Sequence, residues 1–132
     1  MEQLLTISEK QIMGKRILVI DDDEDILSIM DIIFGEEGYE AILFNTGTSA
    51  EEIKILHPDL ILLDVRIAGF DKSGAQICSE IKAQIELSEI PVILISAEED
   101  IEVLARGCGA NGFVNKPFEI DHLLTKVKEF IT

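Results

Sequence analysis

Five short apolar runs, each separated from the next by a helix-length segment, constrain the fold of this chain more than any other feature. They are Ile17–Ile20, Ala41–Phe44, Leu60–Leu63, Val92–Ile95 and Gly112–Val114. None alternates apolar with polar residues. Each therefore reads as a strand buried on both faces, the habit of parallel sheets. The segments between them have helical spacing. Residues 24–34 put Ile26, Leu27, Met30, Ile33 and Phe34 on one arc. Residues 49–57 form a second helix, stopped by Pro58 because proline disfavours helix in the residue before it. Residues 74–86 carry Ile77, Ile81 and Ile85, and a short helix over 100–106 is closed by Gly107. The last helix, 119–131, carries Ile120, Leu123, Leu124, Val127 and Ile131 on one stripe.

Strict strand–helix alternation predicts an α/β fold, a doubly wound five-stranded parallel sheet with helices on both faces and right-handed crossovers. A chain of 132 residues has room for one such unit. Residues 1–14 stand apart as an N-terminal extension, and residues 15–132 form the domain. The extension (MEQLLTISEKQIM, before a second start at Met13-Gly14-Lys15) is left open between a frayed tail, a short helix and a segment outside the functional protein.

Charge narrows the partners. The net charge is −15, from 26 acidic and 11 basic residues, which disfavours direct binding to nucleic acid or to an anionic membrane. No apolar run approaches the ~20 residues of a membrane span, and no signal-peptide pattern opens the chain. Cys78 and Cys108 lack metal-ligand spacing and read as small buried thiols of a cytoplasmic protein.

In doubly wound sheets, ligands sit beyond the carboxyl ends of the strands. The first strand delivers Asp21, Asp22 and Asp23 there, the third Asp64, the fourth Ser96 and the fifth Lys116. Asp23, Glu24 and Asp25 suit the start of a helix, where acids favour the dipole. The rest make a chemical set. Carboxylates packed together repel one another, and a divalent cation relieves this. Oxygen donors next to phosphate suit Mg²⁺. Lys116 adds a counter-charge, and Ser96 a hydrogen-bond donor for a phosphoryl oxygen. Phosphoryl transfer needs mainly positioning and charge neutralisation, and a carboxylate is a competent acceptor.

These residues resemble the receiver domain of two-component response regulators over 15–131. "RILVIDDDEDI", "HPDLILLDV", "PVILISA" and "NKPF" follow the family's motifs in order. The resemblance implies a flavodoxin-like (βα)5 fold and a phosphoacceptor at Asp64, with catalytic roles for Ser96 and Lys116. It implies Mg²⁺ held by Asp21, Asp22, Asp64 and the backbone carbonyl of Arg66, and a switch made of Ser96 and Phe113. It implies a cis bond before Pro117. The implied partners are a histidine kinase or histidine phosphotransfer protein and a downstream protein target. With no output domain following Ile131, the signal is expected to leave by protein contact or onward phosphotransfer. The implied role is that of a signalling acceptor, not an enzyme acting on other substrates.

The chain departs from the family pattern in two places. The loop after Asp64 reads V-R-I-A-G-F-D-K-S-G, about two residues longer than usual, with Ala68 where the pattern has proline. Asn111 stands where an acid is common.

Three readings remain at the edges. Arg66 and Glu98, each two residues past a site residue, are candidates for an ion-paired gate over the phosphoryl group. Ile29 and Ile32 fall outside the core arc of the first helix and are candidates for partner docking. A haloacid-dehalogenase-type phosphatase is the alternative function, with Asp21 as nucleophile. It leaves Asp64 without a role. A flavodoxin is disfavoured because acids, not hydroxyls, follow the first strand.

Overall fold

The computed structural model describes residues 14–131. All but Gly14 of the expected extension lies outside the described residues. Five strands, β1 (Arg16–Ile20), β2 (Glu40–Phe44), β3 (Leu60–Asp64), β4 (Val92–Ser96) and β5 (Gly112–Asn115), form one parallel sheet in the order β2-β1-β3-β4-β5. Five helices connect and flank them: α1 (Glu24–Glu36), α2 (Ala50–Leu56), α3 (Gly74–Ala83), α4 (Ile101–Cys108) and α5 (Ile120–Lys128).

The apolar runs are continuous because each strand feeds two cores. Leu18, Ile20, Ile61, Leu63, Val92 and Leu94 point to one face, where they meet Ile53 of α2, Ile77 and Ile81 of α3, and Ile101 and Ala105 of α4. Their strand neighbours Ile17, Val19, Leu60, Leu62, Ile93 and Ile95 point to the other, against Leu27, Met30 and Phe34 of α1 and Leu123 and Val127 of α5. The alternation is the ordinary two-residue period of a strand, hidden in the sequence because both sides are apolar.

Helix ends follow local chemistry. The Asp23 side chain accepts the amides of Asp25 and Ile26 and caps α1. Ser49 caps α2, whose last turn ends on His57 in the left-handed region, just before Pro58. Ser73 and Gln76 form a reciprocal capping box at α3.

Three helix expectations need correction. Ile85 continues the Ile77–Ile81 spacing but lies beyond α3 and is 90% exposed. Gln84 turns to extended backbone, and Leu87 takes the buried place instead. Gly107 does not close α4. The helix runs on to bury Cys108 and ends at Gly109, whose φ of +80° suits glycine. Ile120 is exposed at the first position of α5, and the helix ends at Lys128 although Ile131 is buried.

Asn111 takes over an acceptor role. Its Oδ1 accepts the Val92 amide at 2.9 Å, while its own amide donates to the Val92 carbonyl at 2.8 Å. The side-chain amide thus does here what a carboxylate acceptor would do.

Candidate functional site

The order of strands reverses between β1 and β3, so adjacent strands send their connections to opposite faces and leave a crevice at their carboxyl ends. Asp21 lies just past β1, and Asp64 is the last residue of β3. One carboxylate oxygen from each of Asp21, Asp22 and Asp64 lies within 4.8 Å of the others. Asp21 and Asp64 are buried, while Asp22 is exposed. The three acids expected to cluster do lie together, but they sit in unequal surroundings.

Backbone contacts hold the crevice walls. The Asp21 amide donates to the Phe44 carbonyl at 3.1 Å, and Asp21 Oδ1 accepts the Asp23 amide at 2.9 Å. The backbone of Gly74 packs directly on the end of β3. A Cβ there would sit 2.0 Å from the Asp64 carbonyl oxygen, so no side chain is tolerated without displacing that backbone. Sequence reading placed Gly74 only where the long loop meets the helix over 74–86, since nothing in the residue alone tells of this close approach.

Lys116 reaches into the cluster from the β5 side. Its Nζ lies 2.9 Å from Asp21 Oδ2 and 3.3 Å from Asp64 Oδ2. The following Lys116–Pro117 bond is cis, as the family resemblance implied. Burial works to lower the Lys116 pKa, but pairing with Asp21 and Asp64 outweighs it and the net shift is upward. Asp64 also shifts upward, out of the ordinary carboxylate range. Burial and the neighbouring Asp21 charge push it up to about 7, against the opposing pull of Lys116. One ammonium does not neutralise three clustered carboxylates.

A divalent cation fits this arrangement. Asp21 Oδ2 is buried and, apart from its ionic contact with Lys116, has no aligned hydrogen-bond donor among the described residues. The remaining negative charge and the all-oxygen donor set are those of a hard-cation site.

Ser96 is buried at the end of β4, with its Oγ accepting the Glu98 amide at 2.9 Å. Phe113 is half-buried on β5, opposite Leu94 in the register, and packs toward the face that holds α2, α3 and α4. Arg66 and Glu98 meet across the mouth of the crevice, Nε to Oε1. The Arg66 side chain stays 82% exposed, so the pair is a surface one. Ile29 and Ile32 are 43% and 60% exposed on α1.

A contact that sequence reading missed joins the long loop to the acids. The Ala68 amide donates to Asp22 Oδ2 at 2.9 Å.

Both cysteines are buried and free, with Cys78 Sγ 3.4 Å from the Cys108 carbonyl oxygen. Burial pushes the Cys78 thiol up. No helix among the described residues is long and apolar enough to cross a membrane.

Comparison with known proteins follows the same lines. DNA-binding response regulator MtrA of Mycolicibacterium paratuberculosis is 32% identical over 119 residues, covering 88% of this chain and 51% of that protein. The chain thus spans about half the length of the curated relatives it matches. Among solved structures, the receiver domain of NtrX from Brucella abortus is 33% identical with a TM-score of 0.75, over 87% of this chain and 97% of that one. Vibrio cholerae chemotaxis protein CheY4, at 20% identity, shares the fold with a TM-score of 0.79 over 90% and 99% of the two chains. Nothing in these matches supports the phosphatase alternative. The family profile described as "Response regulator receiver domain" matches residues 17–128, from the strand before the acids to the last helix, and this chain belongs to that family.

Proposed function

We propose that Asp64 is the phosphoacceptor of this receiver domain, and that it takes a phosphoryl group from the phosphohistidine of a histidine kinase or histidine phosphotransfer protein. One observation carries the reading: a buried carboxylate at the end of β3 faces a lysine ammonium and two further acids. An Asp64 oxygen attacks phosphorus in line. The bond from phosphorus to the donor imidazole nitrogen breaks, and the electron pair leaves with that nitrogen.

Asp21, Asp22, Asp64 and the backbone carbonyl of Arg66 would hold Mg²⁺, which when bound supplies charge neutralisation for acceptor and phosphoryl oxygens. Lys116 keeps its proton in this setting and offers a fixed positive charge to the phosphoryl oxygens. The Ser96 hydroxyl, which now accepts the Glu98 amide, has its proton free to donate to a phosphoryl oxygen. As Ser96 turns toward that group, Phe113 moves into the space it leaves. The surface around 98–118 then presents a different face to a downstream protein target. The chain acts as a signalling acceptor and promotes only its own phosphorylation and dephosphorylation.

Incubation with Mg²⁺ and a small acyl phosphate, followed by intact mass, tests the assignment. The wild-type chain is expected to gain one phosphoryl group and Asp64→Asn none. An equal gain in Asp64→Asn overturns it, and phosphate mapped to Asp21 would favour phosphatase chemistry.

A further inference from the structure

Asp22 differs from the other two acids of the cluster. Asp21 and Asp64 are held by burial, but the Asp22 side chain is exposed, and it is grasped from the opposite loop. Its Oδ2 accepts the backbone N–H of Ala68 at 2.9 Å. The local geometry aims that amide. Phe70 N–H donates to the Ile67 carbonyl at 3.2 Å, and Gly69 has a φ of +78°. These are the marks of a type II turn with Ala68 at its second position and glycine at its third.

The turn is moored on its far side. The Phe70 ring lies so close over Gly47 that a Cβ there would come within 2.4 Å of ring carbons. Phe70 also packs against the core under α2, α3 and α4. The loop is therefore fixed both by an aromatic ring on a side-chain-free backbone and by an amide on an acid.

Position 68 is where the sequence departs from the family pattern. Proline there would keep the turn, since proline is favoured at the second position of type II, but it has no N–H to give. The hydrogen bond to Asp22 is one that the proline-bearing pattern cannot form.

We propose that the Ala68 backbone N–H is a positioning group for Asp22, orienting its carboxylate toward the cation position and coupling the 66–71 loop to cation occupancy. The proposal rests on the reading of Asp21, Asp22 and Asp64 as cation ligands. Linkage makes the coupling reciprocal: a cation that favours the oriented Asp22 also tightens the loop that orients it. Arg66 sits on this loop, so the reach of its side chain toward Glu98 is set by the same turn.

Calorimetric titration with Mg²⁺ at fixed ionic strength, without a phosphodonor, tests this. Ala68→Pro removes the N–H and keeps the turn, and is expected to weaken Mg²⁺ binding about fivefold to tenfold, the net worth of one ordinary hydrogen bond, since solvent screens the charge of the exposed Asp22. Ala68→Gly restores the N–H and is expected to recover affinity. In chelator the unfolding midpoint of Ala68→Pro is expected to fall no further than the loss of one exposed hydrogen bond allows, whereas a disrupted loop would lower it well beyond that. Amide exchange gives an independent reading. The Ala68 amide is expected to be protected in the wild-type chain, more so with Mg²⁺, and to lose protection in Asp22→Ala. Wild-type Mg²⁺ affinity in Ala68→Pro overturns the proposal, as does Ala68 exchange indifferent to Asp22→Ala. A wild-type chain that binds no Mg²⁺ overturns the cation reading itself, and this proposal with it.

Discussion

At the scale of the residue, Asp64 holds the tension in the molecule. In an unfolded chain its carboxyl titrates near 3.8, but in the metal-free fold it is pushed up to about 7 by burial and by Asp21. Between those values the folded chain keeps a proton that the unfolded chain has released, so stability from this group falls as pH rises. Above about 7 both states are ionised, and the fold bears the full cost of a buried anion. In chelator, Asp64→Asn is therefore expected to gain stability over wild type between about pH 5 and pH 7, by on the order of 2 kcal/mol. Denaturant melts across that range check it, and a constant gap would contradict the assignment. The Arg66–Glu98 pair is a second residue-scale case. Both positions were legible from spacing alone, and the ion pair forms as expected. An exposed pair contributes only ~0–1 kcal/mol to stability, so its proposed use is steric, in hindering water. Arg66→Ala and Glu98→Ala are each expected to raise the dephosphorylation rate several-fold at unchanged thermal midpoint. Unaltered lifetimes remove the gate. The Gly74 contact and the Ala68 amide were not legible, because a backbone atom's partner depends on where another loop comes to rest.

At the scale of the element, the five strands could be read to within a residue of their ends, since runs buried on both faces leave few alternatives. Helix ends were less legible. Periodicity placed Ile85 and Ile120 in the core, yet a helix end depends on caps and on what the next segment can bury: both are exposed, Leu87 takes the place expected for Ile85, and α4 runs past Gly107 to bury Cys108. Helix α1 shows where periodicity succeeds. Leu27, Met30, Ile33 and Phe34 are buried, and Ile29 and Ile32, one turn apart on another face, are left to solvent. We propose that this face helps dock the phosphodonor, since burying two isoleucines in a partner contact favours association. Ile29→Ser with Ile32→Ser is expected to slow transfer from a kinase while leaving phosphorylation by a small acyl phosphate unchanged. An equal effect on both donors, or none on either, counts against docking.

At the scale of the whole molecule, charge sets the terms. A net charge of −15 on a chain of 132 residues is self-repelling, and any salt relieves part of it. The proposed cation site would add a specific increment. At matched ionic strength Mg²⁺ is expected to raise the unfolding midpoint above Na⁺, with stability growing by about 1.4 kcal/mol per tenfold rise in Mg²⁺ above its dissociation constant. Asp21→Asn is expected to lose this increment, and a midpoint that follows ionic strength alone would speak against the site. The sheet order has a last consequence. β1 and β3 lie side by side although two helices and a strand separate them in sequence, and Ser96 and Lys116 join only when β4 and β5 have paired in turn. A chain in which any one of these strands is unpaired would lack part of the set. On the proposed function, competence to accept phosphate would double as an inspection of the finished fold: a chain whose strands have not all paired would stay silent instead of sending a false message.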